Sequence, residues 1–114
     1  MATLHNRTKN TIVSSRVKVA RTPWERLVGF LDSKSIEEDE AMWFDRCTGV
    51  HTLGMRARID VVFLDDSLEV LAVERNVGAN RINICCPQAA SIIELGASEK
   101  ARFSVGDVLS LDAR

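Results

Sequence analysis

Ile59-Asp60-Val61-Val62-Phe63-Leu64, then Asp65-Asp66-Ser67, then Leu68 to Val77: the reading of this stretch decides the fold. A short run of β-branched and large apolar residues bounded by turn formers is the pattern of a buried strand. Asp and Ser side chains hydrogen-bond their own backbone, so Asp65-Asp66-Ser67 is a turn and Leu68 to Val77 is the returning arm of a hairpin. Working outward, Ala41 to Phe44 and Ser91 to Leu95 are short apolar runs of the same kind, and Val108 to Leu111 follows a Gly106-Asp107 turn. Thr11 to Ala20 alternates loosely through Ile12, Val17 and Val19, with a break near Ser14-Ser15. Cys47 to Met55 is expected to be extended with bends at Gly49 and Gly54. Residues 78–88, which contain Gly78, Asn80 and Pro87, are expected to form a loop.

One segment has helical spacing. In Thr22-Pro23-Trp24-Glu25, Thr22 can cap, Pro23 suits the first helical position and Glu25 completes a capping box. Trp24, Leu27, Val28 and Leu31 then form an apolar stripe, which predicts a helix from Thr22 to about Leu31. Ala97 to Phe103 is expected to make a helical turn. The tally predicts a mainly β fold: a compact sandwich or barrel of six or seven short strands with one N-terminal α-helix packed against it. Residues 1–10 are expected to be a flexible polar tail and residues 11–114 a single globular domain.

Composition agrees with a globular chain. The 114 residues are 46% hydrophobic and 27% charged, and a chain of this size buries about two-thirds of its surface without staples. No apolar run is long enough to span a bilayer as a helix. The N-terminus lacks the apolar core of a signal peptide, so a cytoplasmic location is expected. There the three cysteines, Cys47, Cys85 and Cys86, would be reduced thiols. Fifteen basic and sixteen acidic residues leave a net charge of −1, which does not favour a nucleic-acid partner. Arg7, Lys9, Arg16, Lys18 and Arg21 stand in the first 21 residues without an acid. They are expected to pair with acids elsewhere rather than to form a binding arm. The Glu37-Glu38-Asp39-Glu40 run is expected to be a solvated loop rather than a metal site.

Several segments together are similar to a known family. These are Arg26-Leu27-Val28-Gly29-Phe30-Leu31, Met42-Trp43-Phe44, Val50-His51-Thr52-Leu53-Gly54-Met55-Arg56, Ile59 to Asp65, Ala90-Ser91-Ile92-Ile93-Glu94-Leu95 and Gly106-Asp107. In order and spacing the chain resembles domain-of-unknown-function family 192 of bacteria and archaea, in its histidine-containing branch, over about residues 16–111. The resemblance implies a mainly β, jelly-roll-like sandwich and implies no established reaction. Arg58, Asp66-Ser67 and Leu95-Gly96-Ala97-Ser98 depart from the family pattern at loops.

Asp60 is the first candidate for chemistry. A carboxylate inside an apolar strand needs donors or a counter-charge, and Arg26, Arg56 and Arg58 are candidate partners. It either ties a strand end to a loop or lines a ligand cleft as a base. His51 stands four residues from Cys47, a spacing open to a zinc site completed by Cys85 or Cys86, or to a thiol activated by an imidazole. The adjacency of Cys85 and Cys86 and the absence of paired ligand spacing speak against a metal. The plain alternative is that Cys47 and one of the pair Cys85 and Cys86 are small buried hydrophobes while His51 hydrogen-bonds a carbonyl. Arg56 could grip a carboxylate or phosphate with its planar fork. Trp24 and Trp43 are expected in the core.

The expected function is therefore that of a small soluble ligand-binding or accessory domain with a cleft edged by residues 50–60, in which His51, Thr52, Arg56 and Asp60 converge. An enzyme of hydrolase or transferase type using His51 and Asp60, with Cys47 as a candidate nucleophile, is the alternative. A protein-interaction module using a sheet edge or the basic arm is the second alternative. No cofactor or metal is called for. A monomer with an unidentified small-molecule or protein partner and no membrane attachment is expected.

Overall fold

The computed structural model describes residues 1–22, 30 and 34–112. Nine strands follow one another: β1 (Ala2–Asn6), β2 (Thr11–Val19), β3 (Glu40–Asp45), β4 (Gly49–Val50), β5 (Ile59–Leu64), β6 (Val70–Val77), β7 (Ile84–Cys85), β8 (Ser91–Gly96) and β9 (Leu109–Asp112). Seven of them form one sheet in the order β6-β5-β8-β3-β2-β1-β9, while β4 and β7 form a two-stranded ribbon. Every pairing is antiparallel except β2 with β3. That parallel pair is fed by the connection over residues 20–39.

The large sheet curls until its two edges meet at one end. Val70 N–H donates to Asp107 O at 2.8 Å, Gly106 N–H to Val70 O at 2.8 Å and Leu109 N–H to Leu68 O at 2.9 Å. A bridge between Glu69 and Val108 marks the seam. The curl gives the sheet an inside and an outside, and both are apolar at the centre. On β5, Val62 and Leu64 join an inner cluster with Leu4, Val17, Ile93 and Leu95. Ile59, Val61 and Phe63 point the other way, into a second cluster with Met42, Phe44, Met55, Ile84 and Ile92. All six residues of β5 and all six of β8 are buried. A central strand wanted by two cores reads as a continuous apolar run, which is why this one is so plain in the sequence.

These observations correct the expected architecture. The described residues are all β and contain no helix. A single curled sheet with a small ribbon replaces a jelly-roll-like sandwich of six or seven strands with a helix packed on it. The outer cluster takes Met55, Ile84 and Ala89 from the loops around β4 and β7. The helix expectation rested on a capping box, worth about 1 kcal/mol, and on the apolar stripe of Trp24, Leu27, Val28 and Leu31, local signals that do not decide what covers a sheet. Most of that segment, residues 23–29 and 31, lies outside the described residues. Phe30 joins the outer cluster.

Other elements shift in detail. Residues 2–6, read as part of a polar tail, form β1 between β2 and β9, with Leu4 fully buried. The returning hairpin arm starts at Val70 rather than Leu68, because Leu68 takes a left-handed φ of 62°. Asp65 Oδ1 accepts the Ser67 and Glu69 amides and fixes that turn. Ala97 to Phe103 forms no helical turn.

Candidate functional site

The expected site segment is held by one buried side chain. Thr52 is fully buried, and its hydroxyl donates to Gly78 O at 2.7 Å and accepts the Arg81 amide at 2.9 Å. Its backbone N–H donates to Arg81 O at 2.9 Å, and its carbonyl accepts the Asn80 amide at 2.8 Å. Asn80 Oδ1 in turn accepts the Gly54 amide at 3.0 Å. Thr52 thus ties the 50–56 loop to the 78–82 loop, continuing the β4–β7 ribbon beyond Val50 and Ile84. Asn80 (φ 59°) and Asn83 (φ 60°) both adopt the left-handed conformation that Asn tolerates. Between them they present Arg81 and Ile82 to solvent.

His51 and Arg56, on the facing loop, are exposed. His51 Nδ1 accepts the Leu53 amide at 3.3 Å. Among the described residues no hydrogen bond or ion pair joins His51 to Asp60. Asp60, only 3% exposed, instead receives the Arg102 guanidinium at 2.8 Å, the Asn76 amide at 2.7 Å and the Ser98 amide at 3.3 Å. Its cation comes from the 97–108 loop, not from Arg56 or Arg58, and the third candidate, Arg26, lies outside the described residues. The Asn76 amide is released from the ladder by a bulge where β5 advances from Ile59 to Val61 and β6 from Val77 to Glu74. The carboxylate fills the gap that the bulge leaves. Asp60 therefore holds three backbone segments together, while Thr52 holds the loops and His51 and Arg56 stand on their surface.

The thiols show no shared chemistry. Cys47 Sγ donates to Gly49 O at 3.1 Å, Cys86 Sγ to Gln88 Oε1 at 3.6 Å, and Cys85 is exposed opposite Gly49. Cys47 and Cys86 pack against the outer cluster. Among the described residues no group of three metal-binding side chains converges.

Sequence reading passed over two features. The first is Glu94, 4% exposed on β8. In register it lies between Met42 and Val61, both buried, with Lys18 and Glu74 each one strand further out. No hydrogen bond reaches its carboxyl among the described residues, and burial raises its pKa from 4.5 to about 7. An acid in a strand alternating with isoleucine and leucine is the signal that could have marked it. The second is the charge of the two loops and the strand ends that flank them. Residues 46–59 and 75–93 contain Arg46, Arg56, Arg58, Arg75 and Arg81 together with His51, and not one Asp, Glu or Lys. Leu53 (47%) and Ile82 (59%) are among the exposed large hydrophobics on the same loops.

Elsewhere several charged side chains are neutralised locally. Arg16 contacts Glu37 at 3.0 Å, Asp39 at 2.5 Å and Glu40 at 3.9 Å, and Lys100 contacts Glu38 at 2.8 Å. Lys9 pairs with Asp107 at 3.0 Å and Arg7 with Asp112 at 3.6 Å. Burial works to raise the Asp107 pKa, but bonds from Asn6, the Ser104 amide and Lys9 outweigh it and hold the carboxyl below its usual range.

The family profile described as "Uncharacterized ACR" matches residues 4–111, nearly the whole chain. The chain belongs to domain-of-unknown-function family 192. Two solved structures share the fold of this family 192 chain. One is a protein of unknown function from Novosphingobium aromaticivorans, 16% identical, with a TM-score of 0.79 over 96% of this chain and 82% of that one. The other is a Sinorhizobium meliloti protein described provisionally as a transcription regulator, 19% identical, with a TM-score of 0.78 over 96% of this chain and 91% of that one. No curated protein is significantly similar. No helix among the described residues is long and apolar enough to cross a membrane.

Proposed function

We propose that the chain is a small binding or accessory domain whose working surface is the loop pair 50–56 and 78–82, and that its ligand is anionic. The carrying observation is the run of two loops with arginines and a histidine and no acid, in a chain whose net charge is −1. Such a segregation of charge is a physical argument about partners. Among the described residues neither Arg56 nor Arg81 is paired with an acid, so both guanidinium forks are available to a ligand.

The enzyme alternative is less well supported. His51 reaches neither Asp60 nor Cys47 among the described residues, so no base is in place to activate a nucleophile. Asp60 has its oxygens taken by Arg102 and two amides. A cytoplasmic location remains the working expectation. The test is binding of a polyanion, polyglutamate, followed by anisotropy at low and high salt. Binding that weakens with salt and is lost in Arg56→Glu with Arg81→Glu supports the reading. Binding indifferent to both substitutions removes it.

A further inference from the structure

The geometry points to a protein ligand for this surface: an acidic segment with an aliphatic side chain, seated on Leu53 and Ile82 with its carboxylates on Arg56 and Arg81. This rests on the anionic-ligand reading above and narrows it to one class. Two properties of the loops select that class. Every basic residue on residues 46–59 and 75–93 apart from the histidine is arginine, the type enriched in protein interfaces because its fork pairs with carboxylates and its weak hydration eases burial. Two aliphatic side chains, Leu53 and Ile82, stand out beside them at 47% and 59% exposure. A free phosphate would leave both in water, whereas a peptide side chain would cover them.

Nucleic acid is a poorer fit. The two loops contain no Phe, Trp or Tyr on which a base could stack, and the chain as a whole is slightly acidic. A second copy of the chain is also disfavoured. Its densest acidic run, Glu37 to Glu40, is already engaged by Arg16 and Lys100. The Thr52 bonds and the left-handed Asn80 and Asn83 set the loop backbone before a partner arrives, which lowers the ordering entropy that binding must overcome.

The experiment compares four probes on the whole protein by anisotropy or competition: a peptide alternating glutamate with leucine, polyglutamate of equal length, a duplex DNA oligonucleotide and inorganic phosphate. The expected result is that the mixed peptide binds at least about fivefold tighter than polyglutamate. Leu53→Ser with Ile82→Ser should remove that advantage, and Arg56→Gln with Arg81→Gln should weaken both peptides at least about tenfold. All these side chains are exposed, and an unchanged melting temperature confirms folding of each variant. Equal binding of the two peptides, unaffected by the serine variant, overturns the protein-segment inference while leaving the anionic reading intact. Tighter binding of DNA or phosphate does the same. Self-association lost in the arginine variant overturns it in favour of a second copy. Failure of all four probes removes the anionic reading as well.

Discussion

Relative to the parent, Glu94→Gln should be more stable at pH 8 than at pH 5 by about 2–3 kcal/mol. The side chain lies between Met42 and Val61 in the outer cluster, with no cation on either adjacent strand at its register. Burial disfavours the charged form and lifts the pKa from 4.5 to about 7. The folded protein therefore holds a proton that the unfolded chain gives up more readily. The stabilising effect is complete below about pH 4.5, declines as the pH rises toward 7 and is fully lost above it. At 1.36 kcal/mol per pKa unit the span is on the order of 3 kcal/mol. Glutamine has the shape of the protonated acid and cannot ionise, so its own burial adds an offset independent of pH. Urea unfolding of both proteins at pH 5 and pH 8 reads the difference directly. A stability gap between variant and parent that is the same at both pH values, within about 0.5 kcal/mol, would refute the reasoning.

Arg102→Met leaves Asp60 as a buried carboxylate without its cation, and a loss of about 3–5 kcal/mol in denaturant unfolding is expected. Thr52→Val keeps the shape but orphans Gly78 O and the Arg81 amide. It should cost about 1–3 kcal/mol and speed hydrogen exchange at residues 78–82 before the rest of the sheet. Gly96→Ala places a methyl 2.1 Å from Glu37 O, so the backbone over residues 36–37 must move. Overpacking of this kind costs about 1–3 kcal/mol or more, read as a fall in melting temperature.

What the sequence shows about this fold depends on how far apart the interacting residues are. The hairpin Ile59 to Val77 is legible because its turn chemistry and apolar run are adjacent. β1 is not, since Ala2, Leu4 and Asn6 become a strand only by lying between β2 and β9, about a hundred residues apart in the chain. Asp60 is recognisable as a residue in need of a partner, yet Arg102 stands 42 positions away in a loop without a pattern. Thr52 has a different task from the one expected, because only the fold reveals that Gly78 and Arg81 lie against it. The acid-free loops were readable throughout. They require counting the charges that are missing, rather than looking for a motif.

The seating of β1 beside β9 also sets the order of assembly. No amount of early hairpin formation can finish the sheet, because β9, at its seventh position, pairs with β1 from the opposite end of the chain. Loop closure over such a distance comes before any contact rewards it, so folding should be slow for a chain of this size and limited by a late docking step. Until then β1 has an open edge along Thr3 to Asn6, the residues that β9 later pairs, and that edge is where two half-folded copies would first adhere.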